Sequence, residues 1–174
     1  MVDFGFGKTT GIDLTGESSG LMPSRDWKRG ARNQPWYPGE TLITGIGQGF
    51  ILATPLQLAS ATATLSMRGF QLRPSVGLAV HDSAAGETTL LSTAEAVSIP
   101  HSEAKIWETI VASMVGVVHG PRGTARRIGI DAAYKFAGKT GTAQVFGIAQ
   151  DEEYDADQIA KKLRDHALFV AFAP

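Results

Sequence analysis

The sequence contains no cysteine, which narrows the chemistry open to the protein. Without a thiol there is no disulfide, no zinc–thiolate site and no cysteine nucleophile. This suits an oxidising compartment but does not establish one. Histidine is also scarce: His81, His101, His119 and His166 are scattered without the close spacing of metal ligands. We therefore expect no metal site and no cofactor, with each histidine at the surface or in a capping role.

An excess of positive charge and a long apolar run are also missing. Lys and Arg number 16 against 17 Asp and Glu, for a net charge of -1. The chain therefore lacks the excess of positive charge that binding to nucleic acid or to anionic membrane surfaces would require. No stretch approaches the roughly 18 apolar residues of a membrane span, and nothing reads as a signal peptide. If the parent protein is exported or anchored, we expect that signal outside this chain.

Glycine, proline and aromatic residues dominate the first 49 positions. Pro23, Pro35 and Pro38 are expected to break helices, so this part is predicted to be ordered but irregular. It holds a basic and aromatic cluster made of Arg25, Lys28, Arg29, Arg32, Trp27, Trp36 and Tyr37. The cluster is either a ligand-contacting surface or, as we prefer, a solvated loop face with aromatic anchors.

Two helices are predicted beyond that segment. The first has Thr54 as N-cap, Pro55 in the first turn and Gln57 completing a capping box, with a stop at Gly69. Because apolar residues surround its axis, we expect it to be buried on nearly every side. The second runs over 102–119. Its predicted buried stripe consists of Trp107, Ile110, Val111, Met114, Val115 and Val118.

Strand patterns fill much of the rest. One or two short strands are predicted over 70–81, a strand broken by two glycines over 134–146, and an apolar strand over 167–173. Segment 147–166 changes from acidic to basic, which is typical of an exposed helical excursion. Helices and strands are segregated, so the predicted class is α+β with an antiparallel sheet flanked by helices.

The tetrapeptide Lys139-Thr140-Gly141-Thr142 lies inside the strand predicted over 134–146. A Lys-Thr-Gly element of this kind is one of three motifs in active-site serine enzymes that react with penicillin. Lysine supplies positive charge beside a carboxylate substrate and a proton-relay serine, and the threonine hydroxyls bind the same carboxylate. Glycine leaves room for a peptide along the strand edge. A backbone N–H just after the glycine can stabilise an oxyanion.

Nucleotide-binding interpretations of the glycine-rich stretches fail. Gly138-Lys139-Thr140 and Gly7-Lys8-Thr9 end like a phosphate-binding loop, but Ala133 and Val2 stand where that motif needs glycine. The run 45–49, Gly-Ile-Gly-Gln-Gly, is one residue short of a dinucleotide motif. We interpret it as a tight turn before the first predicted helix.

The sequence resembles class B penicillin-binding proteins, and especially the elongation-specific penicillin-binding protein 2 type. The blocks that carry the resemblance are Phe4 to Gly7, Thr10 to Asp13, Gly45 to Gly49, Thr54 to Ala59, Gly123 to Ala125, Ala137 to Gly147, Leu163 to His166 and Phe172 to Pro174. Their order and spacing match the family.

The resemblance implies a transpeptidase fold of the kind shared with serine β-lactamases. It implies a serine-type D-Ala-D-Ala transpeptidase or carboxypeptidase that cross-links peptidoglycan stem peptides during cell-wall elongation and is acylated by β-lactams. It also implies membrane-protein partners of the elongation complex and a place on the periplasmic side of the inner membrane. Lys139 and Thr142 would be catalytic, and Thr140, Gly141 and Thr142 would bind substrate.

The sequence departs from the family pattern in its serine motifs. The family's nucleophile and second motif precede the block at Phe4, and its last strand and helix follow Pro174. Residues 1–174 are therefore expected to be a partial transpeptidase domain. The string Ser102-Glu103-Ala104-Lys105 has the nucleophile spacing but follows the early blocks, so Ser102 is interpreted as a helix cap.

Two other functions remain open. A β-lactamase or β-lactam sensor shares these motifs, although the elongation-type blocks and segment 147–166 argue against it. A non-catalytic fragment or binding module is the second alternative, because nothing in this chain is expected to form the acyl-enzyme by itself.

Overall fold

The computed structural model describes residues 1–91, 96–100, 103–145 and 160–173. The predicted α+β class is confirmed. The helices are α1 (Arg25–Arg32), α2 (Pro38–Gly45), α3 (Pro55–Ser66), α4 (Ala104–His119) and α5 (Arg126–Gly129). The strands are β1 (Phe70–Gln71), β2 (Ala79–Asp82), β3 (Glu87–Leu90), β4 (Val97–Ser98), β5 (Ala137–Ala143) and β6 (His166–Phe172). None of the helices described is long and apolar enough to cross a membrane.

The strands form separate antiparallel pairs within the described ranges: β1 with β4, β2 with β3, and β5 with β6. The last pair is the longest, running from Ala137 opposite Phe172 to Ala143 opposite His166. The sequence did not predict β3 or β4. Strand β3 is exposed at all four positions and lacks the apolar alternation by which a strand is recognised. The helical excursion predicted over 147–166 falls mostly outside the described residues; Lys161–Leu163 forms a single 3-10 turn.

Helix α4 supports β5 from one side. Four of the six residues of its predicted stripe, Trp107, Val111, Met114 and Val118, are buried, and the other two, Ile110 and Val115, are half-buried. Val118 has no exposed surface, and a Cβ added at Gly138 on β5 would lie 3.1 Å from Val118 Cγ2. Glycine therefore lets the strand approach the helix closely, and this contact fixes the position of β5.

Helix α3 begins as predicted but is less buried than predicted. The side chain of Thr54 accepts the Gln57 N–H at 3.1 Å, and Gln57 Oε1 accepts the Thr54 N–H at 2.9 Å. The expectation of burial on nearly every side is wrong, since Ala59 and Ala63 are exposed. The buried positions include Gln57 and Thr64, whose polar groups are satisfied by backbone carbonyls.

The first 49 residues are more regular than predicted, since they contain the eight-residue helices α1 and α2. Ser24 caps α1 by accepting the Trp27 N–H at 3.1 Å. Pro38 is the first residue of α2, where its missing N–H costs nothing. Here proline starts a helix, so the inference that it breaks one was wrong.

Lys28 is not part of a solvated face. It is 1% exposed, its ammonium lies 2.5 Å from Glu40 Oε1, and it sits 4.4 Å from the centre of the Tyr37 ring. The Lys28 hydrogen bond, followed by the Tyr37 N–H, lowers the pKa of the Glu40 carboxyl. A lowered folded-state pKa stabilises the native protein above the unfolded pKa, and this stabilisation is lost as pH falls through the folded value. The pair therefore joins α1 to α2 at neutral pH.

Candidate active site

The predicted site residues lie together on β5. Lys139, Gly141 and Thr142 are exposed and Thr140 is half-buried, so none of the four residues is fully buried. Strand β6 pairs with one edge of β5, and no strand pairs with the other edge within the described part of the chain. We call this second edge the free edge of β5.

Two backbone carbonyls of β5, two residues apart, accept hydrogen bonds from side chains. The Lys139 ammonium donates to the Thr140 carbonyl at 2.5 Å, and Gln48 Nε2 donates to the Thr142 carbonyl at 3.1 Å. Alternate residues of an antiparallel strand direct both N–H and C=O to the same edge. These side-chain donors therefore indicate that the Thr142 N–H also points to the free edge.

Thr124 adds a third hydroxyl to the two on the strand. Its Oγ1 lies 3.1 Å from the Thr140 Oγ1, so each hydroxyl orients the other. The loop after α4 brings it there, and a Cβ added at Gly123 would fall 2.2 Å from the Val117 carbonyl oxygen. In the sequence, Thr124 stands out only as part of the block Gly123-Thr124-Ala125 that carries the family resemblance, and no site role was predicted for it.

Gln48 reaches β5 from 94 positions earlier in the chain. It follows α2 in the predicted tight turn, between Gly47 at φ +78° and Gly49 at φ +79°. Such left-handed positions favour glycine over any residue with a Cβ. The sequence predicted the turn but not the contact with Thr142, because local pattern carries no information about so distant a partner.

Two of the histidines, His119 and His81, make side-chain contacts within the fold. His119 Nε2 accepts the Phe136 N–H at 3.1 Å, just before β5, and His81 Nδ1 lies 2.9 Å from Thr88 Oγ1. Across the described ranges, no group of three or more His, Asp or Glu residues is placed to hold a metal ion. His101 and the Ser102 cap prediction fall outside the described residues. Helix α4 has Glu103 as its N-cap.

The entire chain, residues 1–174, matches the family described as the penicillin binding protein transpeptidase domain. The chain belongs to this family. The match agrees with an accessible Lys-Thr-Gly-Thr strand that, among the residues described, pairs with another strand on one edge.

Among penicillin-binding proteins, the similar proteins and structures include those of the elongation-specific penicillin-binding protein 2 type. Peptidoglycan D,D-transpeptidase MrdA of Escherichia coli K12 is 42% identical over 174 residues, which is 100% of this chain and 27% of that protein. The crystal structure of Pseudomonas aeruginosa PBP2 in complex with WCK 5153 has a TM-score of 0.77 and 44% identity, covering 99% of this chain and 34% of that one. The Helicobacter pylori PBP2 structure, a complex with MreC, has a TM-score of 0.77 and 33% identity, covering 99% of this chain and 28% of that one. The chain thus spans roughly a quarter to a third of these relatives.

Proposed function

We propose that residues 1–174 are part of the transpeptidase domain of a peptidoglycan D,D-transpeptidase that cross-links stem peptides during cell-wall elongation. The observation that carries this proposal is the free edge of β5, with Lys139 to Thr142 accessible on a chain that matches the transpeptidase family throughout. The serine nucleophile comes from another part of the domain. The sequence has no Ser-x-Asn string, and its one Ser-x-x-Lys string begins at Ser102, far along the chain.

In the proposed reaction a serine attacks the D-Ala-D-Ala peptide, the last D-alanine leaves, and the acyl group passes to an amine. Lys139 provides positive charge beside the substrate carboxylate and the reacting hydroxyls. The hydroxyls of Thr140 and Thr142 bind that carboxylate, and the contact with Thr124 supports the orientation of the first. The Thr142 N–H completes an oxyanion hole for the tetrahedral intermediate.

Gly141 keeps space for a substrate beside the strand. A Cβ added there would meet only Leu168 Cβ, at the ordinary contact distance of 3.8 Å. Its φ is not in the left-handed region. Neither packing nor backbone conformation in the described chain therefore demands glycine at 141, which supports a role in admitting the substrate.

The proposed ligands are peptidoglycan stem peptides and β-lactams, and the proposed location is the periplasmic side of the bacterial inner membrane. Membrane proteins of the elongation complex are the proposed partners. The complex of the Helicobacter pylori relative with MreC supports the partner class. Peptidoglycan is assembled outside that membrane, which supports the location.

Labelling with benzylpenicillin tests the function. A protein carrying the complete transpeptidase domain should gain one benzylpenicillin mass per molecule, whereas residues 1–174 alone should gain none. Intact-mass spectrometry of both, with peptide mapping of any adduct, is the measurement. An adduct on Ser102 would contradict the assignment of the nucleophile to another part of the domain. A complete domain that stays unlabelled would favour the non-catalytic binding module.

A further inference from the structure

We propose that Gln48 is a positioning residue for this active site, holding the Thr142 end of the free edge in the direction that the oxyanion donor requires. The contact is the hydrogen bond from Gln48 Nε2 to the Thr142 carbonyl at 3.1 Å. The inference rests on the proposed function, because it assigns Gln48 to the same acyl-transfer site.

The turn that carries Gln48 is anchored on α2. The Gln48 N–H donates to the Ile43 carbonyl at 3.0 Å, and the Gly47 N–H donates to the Thr44 carbonyl at 3.0 Å. A Cβ at Gly49 would lie 3.0 Å from Ile43 Cγ2, so the turn also packs closely on the helix. Helix α2 is in turn tied to α1 through the Lys28–Glu40 ion pair. Gln48 therefore extends from a turn that is held on α2 by hydrogen bonds and close packing.

The free edge needs such a support at Thr142. Strand β6 holds only the opposite edge of β5, and the preceding residue, Gly141, has the greatest backbone freedom of any residue type. A hydrogen-bond donor stabilises an oxyanion only when its direction is fixed before the reaction. Thr142 N–H and C=O belong to one residue facing one edge, so holding the carbonyl also restrains the N–H.

The test compares acylation kinetics in a protein with the complete transpeptidase domain. Stopped-flow measurements with a chromogenic β-lactam separate the acylation rate constant, k2, from the dissociation constant of the initial complex, Ks. Gln48→Ala should lower k2 by about 10-fold, since a misplacement of even about 1 Å at a reacting group can slow chemistry by about 100-fold. Ks should change by less than about 2-fold, because Gln48 makes no proposed contact with the substrate carboxylate.

Two further variants keep the test decisive if Gln48→Ala folds poorly. Gln48→Met has a similar length and no N–H donor, so it should lose k2 to the same extent while keeping the wild-type melting temperature. Gln71→Ala removes a glutamine from β1, outside the β5–β6 pair, and should leave both constants unchanged.

An unchanged k2 in Gln48→Met, or a loss confined to Ks, would overturn the positioning role. A wild-type protein that is not acylated at all would instead refute the proposed function, so the two failures are distinguishable.

Discussion

Replacing Lys139 by alanine should slow β-lactam acylation of a protein with the complete transpeptidase domain by about 100-fold or more. The Lys139 side chain is exposed beside the free edge of β5, and its ammonium reaches the Thr140 carbonyl there at 2.5 Å. In the proposed mechanism, a fixed positive charge at that point would stabilise the negative charge that develops on substrate and nucleophile. Alanine removes the charge without opening a cavity, because the side chain is not part of the core.

The measurement is the second-order acylation rate constant at neutral pH. Lys135→Ala is a matched control, since it removes one exposed lysine just before the same strand and should leave the rate within about 2-fold. Equal rates for Lys139→Ala and Lys135→Ala would remove Lys139 from the catalytic role.

Replacing Gly141 by valine should leave the domain folded but cut acylation by about 100-fold. The described chain has room for a Cβ at this position, 3.8 Å from Leu168 Cβ, so the side chain should not disturb the packing of β5 on β6. It would instead stand where the substrate backbone approaches the strand in the proposed mechanism. The expected signature is therefore a large kinetic loss with a melting temperature near that of the wild type.

Gly138→Val provides the contrasting variant on the same strand. A Cβ there would lie 2.6 Å from Phe169 Cζ and 3.1 Å from Val118 Cγ2, so this substitution should lower the melting temperature by overpacking the core. Normal acylation by Gly141→Val would contradict the proposed route of the substrate along the free edge.

The sequence predicted those parts of the fold that depend on residues close together in the chain. The capping box joins Thr54 to Gln57, three positions away, and successive buried residues of the α4 stripe are three or four positions apart. Strand β5 was predicted as a strand interrupted by two glycines, and β6 was predicted from its run of apolar residues. Proline was ambiguous, because Pro38 starts a helix where it was expected to prevent one.

The parts that sequence did not predict depend on partners distant in the chain. Lys28 looked like a solvated cation, yet the Glu40 carboxylate and the Tyr37 ring allow it to be buried. The four predicted residues of β5 lie together because one strand holds them. Thr124 and Gln48 join them only through tertiary contacts, which spacing along the chain does not encode.

The central claim is that the free edge of β5 forms one wall of a cleft that binds acyl substrates. The most direct measurement is a crystal structure of the complete transpeptidase domain acylated by benzylpenicillin. We predict that the ligand carboxylate lies within about 3 Å of the Thr140 and Thr142 hydroxyls, and its acyl oxygen at the same distance from the Thr142 N–H. A ligand bound elsewhere, or a free edge covered by another segment of the protein, would contradict it.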